Sequence, residues 1–230
     1  MTYILSYCHF TPKGVWLNGK QYFKAEPKPF VLHDFFSAVY KHAGINYRKF
    51  YKMDALSKLG FLASELLLAG SDREQPKPDM GILFFNSASS MDADRNFQQT
   101  IQNKDDFFPS PAEFVYTLPN IVTGEIAIRN KIYGETAFYV TRHFMSDVVE
   151  EIVEDAVSYA GLKCALVGWL HVDVAENTLE GMMMLCATGL NDTGKEKYVP
   201  EVSKGLEQVG HAEELRDFNG SHLYDLYEFL

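Results

Sequence analysis

Seven histidines and three cysteines carry most of the reactive chemistry in this 230-residue chain. His171 and Asp173 occupy alternate positions of an apolar run and would point the same way from a strand, as two metal ligands must, but two groups do not make a metal site. His143 and Asp147 lie four apart at the start of a helical stretch, a spacing that suits a capped helix or a catalytic dyad. Cys8, Cys164 and Cys186 are odd in number, widely spaced and set in apolar runs, so neither a disulfide framework nor a zinc knuckle fits. No G-x-S-x-G elbow, phosphate-binding G-x-x-x-x-G-K-[ST] loop or H-E-x-x-H helix occurs. Met182, Met183 and Met184 read as strand core rather than as a methionine-rich binding surface. Motifs alone point to no active site, no cofactor and no metal.

The elements that must position these residues follow from periodicity. Tyr3–Cys8 reads as a strand, with Gly14–Leu17 as the start of its hairpin mate, and Pro27 and Pro29 mark a loop. Met53–Ala69 is rich in helix formers, its leucines recur three and four apart, and Gly70 stops it. Gly81–Phe85 reads as a buried strand and residues 88–102 as a helix, with Pro109 and Pro111 breaking the chain after it. Leu118–Ile132 is a helix with Pro119 in its first turn; Ala137–Val140 is strand-like, and Met145–Ala160 is a helix ending at Gly161. Lys163–Val172 and Gly181–Ala187 form a last pair of strands. Strands alternating with helices predict an α/β layer fold with a mixed sheet of five strands flanked by helices. Residues 1–190 form the expected domain, and residues 191–230 a polar helical tail packed on it.

Composition is globular, with 47% apolar and 14% aromatic residues, which excludes a disordered or collagen-like chain. No apolar run is long enough to cross a bilayer and no leader is apparent, so the cytoplasm is the expected compartment, without membrane contact. Net charge is −10, yet residues 1–60 hold nine basic residues against three acids. An acidic chain is a poor binder of nucleic acid, whereas a local basic patch suits an acidic partner.

One stretch resembles a known family. Ser110–Arg129, through Pro119-Asn120-Ile121-Val122-Thr123-Gly124-Glu125-Ile126-Ala127-Ile128-Arg129, is similar to the Pro-Asn-x-x-x-Gly-x-Ile-x-Ile-Arg helix of β-ketoacyl-(acyl-carrier-protein) synthases of the thiolase-like superfamily. Lys52–Leu59 resembles their R-M-D-x-x-S-x-L helix start, and Gly81–Ser87 falls where they have a strand ending in a glycine- and serine-rich turn. The resemblance runs in order over residues 51–186 and implies the first half of a thiolase-like fold. The departures are chemical. Counting from Gly134 to the family's nucleophilic cysteine reaches His143, and an imidazole cannot store an acyl group as a stable thioester. His211 and His222 do not sit in the contexts of the histidines that the family's second half supplies. From Met145 to Ser158 an apolar stripe opposes a face of Ser146, Asp147, Glu150, Glu151, Glu154, Asp155 and Ser158, so one face should meet water or a polar partner, consistent with a missing second half.

The resemblance therefore implies a degenerate, non-catalytic ketosynthase-like protein, akin to chain-length-factor subunits. It would serve carrier-protein-dependent fatty acid, polyketide or aryl-polyene synthesis beside an active ketosynthase or as a homodimer. The family pairs through the strand corresponding to Thr136–Thr141, which makes Phe138, Tyr139 and Val140 the candidate dimer residues; a strand buried within a monomer is the competing reading. Arg48, Lys49 and Lys52, with Arg129 and Lys131 as additions, are candidates for contact with an acidic acyl carrier protein, against the alternative of a solvated loop. An enzyme reading would make His143 the nucleophile or base of an acyltransferase or hydrolase, assisted by Asp147 or Cys164.

Overall fold

The computed structural model describes residues 2–26 and 29–188. The expected tail at 191–230, with His211 and His222, lies outside them. The chain opens with an antiparallel meander, β1 (Thr2–Thr11), β2 (Gly14–Leu17) and β3 (Lys20–Lys24). Helices α1 (Leu32–His42) and α2 (Ala55–Leu67) follow, separated by a 3-10 turn at Arg48–Lys52. Next come β4 (Met80–Asn86), α3 (Met91–Ile101), α4 (Pro111–Tyr116), α5 (Ile121–Asn130) and β5 (Thr136–Val140). The last elements described are α6 (Ser146–Ala160), β6 (Cys164–Asp173) and β7 (Thr178–Thr188).

All the strands described join one mixed sheet in the order β3-β2-β1-β7-β6-β4-β5. β4 runs parallel to β5 and β6, and the other pairings are antiparallel. The sheet thus has seven strands rather than the expected five. β3 (KQYFK) lacks an apolar run, and a Lys–Gln start hides it from a hydrophobicity reading. Its signal is the turn before it: Asn18 and Gly19 both take positive φ, 49° and 75°, the Asn-Gly hairpin geometry. Helix α1 also escaped the sequence reading, although Leu32, Phe35, Phe36, Val39 and Tyr40 recur at helical spacing and are all buried.

Two apolar layers flank the sheet, because side chains alternate along each strand. On one face Cys8, Phe10, Leu166, Leu170, Met183 and Leu185 pack under α1, α2 and α5. Helix α2 is buried nearly all round, and Gly60 makes this possible: a Cβ there would lie 2.5 Å from Val122 and 3.0 Å from Leu170. On the other face Leu83, Phe85, Val167 and Trp169 meet Val149, Val153 and Ala156 of α6. The opposite side of α6 exposes Asp147, Glu151, Glu154, Asp155 and Ser158. Ser146, expected on that polar face, is buried instead, because it is the first helical residue where the chain leaves the sheet. None of the helices described is long and apolar enough to cross a membrane.

Candidate functional site

The carboxyl ends of the parallel strands β4, β5 and β6 gather the turns that carry chemistry, as the topology of open α/β sheets predicts. After β5 the chain turns through residues 141–145 into α6. His143 is exposed there, and its backbone carbonyl accepts a hydrogen bond from Thr141 Oγ1 at 3.1 Å. Asp147 is exposed in the first turn of α6, and no hydrogen bond or ion pair joins it to His143 among the described residues. Phe144, the next residue, turns inward and meets Trp169 edge-on, the ring centroids 6.3 Å apart. The corner is filled by aromatic rings.

The thiols are elsewhere. Cys164 starts β6 opposite Met80, at the amino end of the parallel strands, so it cannot assist His143 at their carboxyl end. Cys8 lies within β1, its Sγ 3.8 Å from the Ala63 carbonyl, and Cys186 lies within β7 opposite Ala165. Burial raises all three thiol pKa values, to about 12 for Cys164 and Cys186. A buried neutral thiol is a poor nucleophile, and none of these faces the strand-to-helix corner.

The turn after β4 is tightly built. Asn86, buried, accepts from the Ser89 N–H and donates to the Ser89 carbonyl, both at 2.8 Å, which holds Ser89 at a φ of 54°. Ser90 Oγ donates to the Thr117 carbonyl at 2.6 Å and ties the turn to the end of α4. A cavity of about 30 Å³ lies between this turn, Asp54 and Val172; it has room for one water and not for an acyl chain. His171 and Asp173 do share a face, but they do not act as a pair. Asp173 Oδ1 accepts from the Glu176 N–H at 2.9 Å, whereas His171 Nδ1 lies 3.2 Å from Ser87 Oγ. The sequence reading missed this partnership. Its signal was the serine-rich turn at a strand end, 84 residues before the histidine.

The candidate basic patch is largely committed to the chain's own acids. Lys49 Nζ reaches Glu125 Oε1 at 2.6 Å, and Lys131 Nζ reaches Glu74 Oε2 at 2.7 Å. Arg129 donates through Nε and Nη2 to buried Glu65, at 3.2 and 3.1 Å, while its guanidinium lies 4.6 Å from the Tyr47 ring centre. Arg48 and Lys52 remain exposed, with no ion pair among the described residues. Among the described residues, no group of three or more His, Cys, Asp or Glu side chains is placed to hold a metal.

The candidate dimer strand lies at the edge of the sheet. The Glu135 carbonyl accepts from the Ile82 N–H at 2.9 Å, and the Thr141 N–H donates to the Asn86 carbonyl at 2.8 Å. These two bonds set the alternation: residues 135, 137, 139 and 141 turn their backbone groups toward β4, and Thr136, Phe138 and Val140 turn theirs outward. Val140 is 55% exposed, and the strand carries no charge.

No protein-family model matches the sequence, and no curated protein matches it. Solved structures do. The chain superposes on the ishigamide ketosynthase/chain length factor with a TM-score of 0.59 and 14% identity, over 82% of this chain and 62% of that one. It matches a β-ketoacyl synthase from Burkholderia phymatum STM815 with a TM-score of 0.55 and 11% identity, over 82% and 59%. A type II polyketide acyl-carrier protein in complex with its ketosynthase (AntDE:AntF) gives a TM-score of 0.54 at 13% identity, over 81% and 62%. The chain thus spans about three fifths of the length of these structures and shares their fold over that part.

Proposed function

We propose that this chain is a ketosynthase-like subunit that supports carrier-protein-dependent acyl or polyketide synthesis without performing the condensation, as the partner of an active ketosynthase or of a second copy of itself. The observation that carries the reading is the conjunction of a β5 edge left unpaired among the described residues with a strand-to-helix corner that presents no thiol. A condensing enzyme needs a thiolate there to hold the acyl group, and the His143 imidazole stands in the corner without a hydrogen-bonded partner among the described residues. The structural neighbours include a ketosynthase/chain length factor and a ketosynthase with its carrier protein, which supports a role of this kind.

The edge itself suggests a register. A two-fold axis beside Phe138 would set Phe138 against its own copy and Thr136 against Val140, and each of these pairs would exchange two backbone hydrogen bonds because those residues face outward. Of the candidate patch, Arg48 and Lys52 carry no ion pair among the described residues and would face an acidic carrier protein. Co-expression of the full chain with an intact type II ketosynthase and its carrier protein, followed by native mass spectrometry, tests the reading. A homodimer, or a heterodimer with the ketosynthase, is expected. A chain that stays monomeric at micromolar concentration, alone and with both partners, would refute it.

A further inference from the structure

The contact between Ser87 and His171 plays no part in the supporting role. Ser87 is the first residue after β4 and is exposed at the carboxyl end of the parallel strands. Its Oγ lies 3.2 Å from Nδ1 of His171 on the adjacent β6, within reach for proton transfer. The imidazole has an aromatic neighbour. It lies nearly parallel to buried Trp169, with centroids 6.4 Å apart and planes 19° apart, and Trp169 is braced in turn by Phe144. On the other side, β7 sets Glu180 directly opposite His171, and residues paired in this way project to the same face of the sheet. A serine, a histidine and a carboxylate therefore stand in a row across β4, β6 and β7. The Ala88 N–H, next after the serine, has no acceptor among the described residues, and it is from this position that a strand-to-helix nucleophile usually gains an oxyanion donor. The Asn86–Ser89 double hydrogen bond fixes the turn that presents it.

We infer that Ser87 and His171 form an acyl-transfer site for acyl thioesters, with Glu180 as the positioning acid. With Nδ1 unprotonated, His171 takes the proton as Ser87 Oγ attacks the thioester carbonyl; the tetrahedral adduct collapses, the C–S bond breaks, and the thiolate leaves with that proton as a free thiol. The product is a Ser87 ester, which water then cleaves by the same proton route to release the carboxylic acid. No oxidant or other co-reactant is consumed. The site is independent of pairing through β5, because all three residues belong to one chain and none lies on that strand.

The full-length protein is incubated with a fluorophosphonate, and separately with the N-acetylcysteamine thioester of a short fatty acid. One adduct per chain is expected, mapped by peptide mass spectrometry to Ser87. Ser87→Ala abolishes it, and His171→Gln slows its formation about 100-fold or more. Glu180→Gln slows it less, and Glu180→Asp restores it, a rescue that a purely structural role for the carboxylate would not give. His143→Ala reacts at the wild-type rate. The absence of any adduct overturns the inference, as does an adduct on another residue or unchanged labelling in His171→Gln. Because Ser87 is exposed and hydrogen-bonds only to His171 among the described residues, its alanine variant keeps the fold, and the map of the wild-type adduct stands by itself.

Discussion

The two edges of the sheet are built to opposite specifications. β3 has a lysine at each end, and a bulge between Val15 and Trp16 interrupts its pairing with β2. Charge and a bulge are two common ways to stop one sheet from adding to another. β5 has neither. Its five residues, Thr-Ala-Phe-Tyr-Val, are uncharged and rich in β-branched and aromatic types, and they pair with β4 in unbroken register. The contrast supports the proposed pairing through β5, because an edge without either safeguard is open to another strand.

The largest contrast lies between these edges and the strands that they enclose. All three thiols sit within interior strands, and burial holds Cys164 and Cys186 neutral up to about pH 12, with Cys8 also raised. At pH 8.5 iodoacetamide should therefore alkylate the native protein about a thousand-fold more slowly than the urea-unfolded chain, because the thiolate fraction falls tenfold per unit of pKa. One thiol reacting at the unfolded rate would show that a sulfur nucleophile is available after all. The edge comes second. Across the proposed two-fold axis, the double variant Thr136→Lys/Val140→Lys sets cation against cation twice, and the dissociation constant of the assembly should rise about 100-fold in sedimentation velocity. Unchanged assembly would mean that another surface pairs.

The converse change on β3 should matter less. Lys20→Thr/Lys24→Thr removes the charge but leaves the bulge, so a few-fold increase in species larger than the dimer is expected from light scattering at high concentration. If nothing changes, the bulge alone protects that edge.

How much of this was legible in the sequence depended on whether a signal was local. The leucine spacing of α2 and the apolar stripe of α6 gave both helices to within two residues, because periodicity is written in adjacent turns. β3 was lost because a protective edge strand is selected to look unlike a strand. The site was harder still. That Lys49 and Arg129 answer buried Glu125 and Glu65 depends on α2, the 3-10 turn and α5 meeting, which no spacing encodes. The Ser87–His171 contact likewise needed β4 and β6 to be neighbours, and that is a property of sheet order alone. The count from Gly134 reaches His143 where the resembled family has a cysteine, and the structure places that histidine, exposed, in the turn between β5 and α6.

The smallest effect belongs to the basic patch, and it separates two partners that the edges alone do not distinguish. Arg48 and Lys52 have no ion pair among the described residues, so Arg48→Glu/Lys52→Glu breaks none of the ion pairs described and should leave the melting temperature in place. Exposed charge pairs contribute roughly 0–1 kcal/mol each, so losing two should weaken binding of an acidic carrier protein about thirtyfold or less, and the difference should shrink as salt rises. Lys49→Glu differs in kind, because it sets a second carboxylate against buried Glu125 and should lower stability as well as binding. If carrier and ketosynthase use separate surfaces, the edge variant and the patch variant should act additively in calorimetry of the assembled complex, since distant sites that share no partner do not couple. A coupling above about 0.5 kcal/mol would place both partners on one surface and would undo the division of labour between a charged face and an apolar edge.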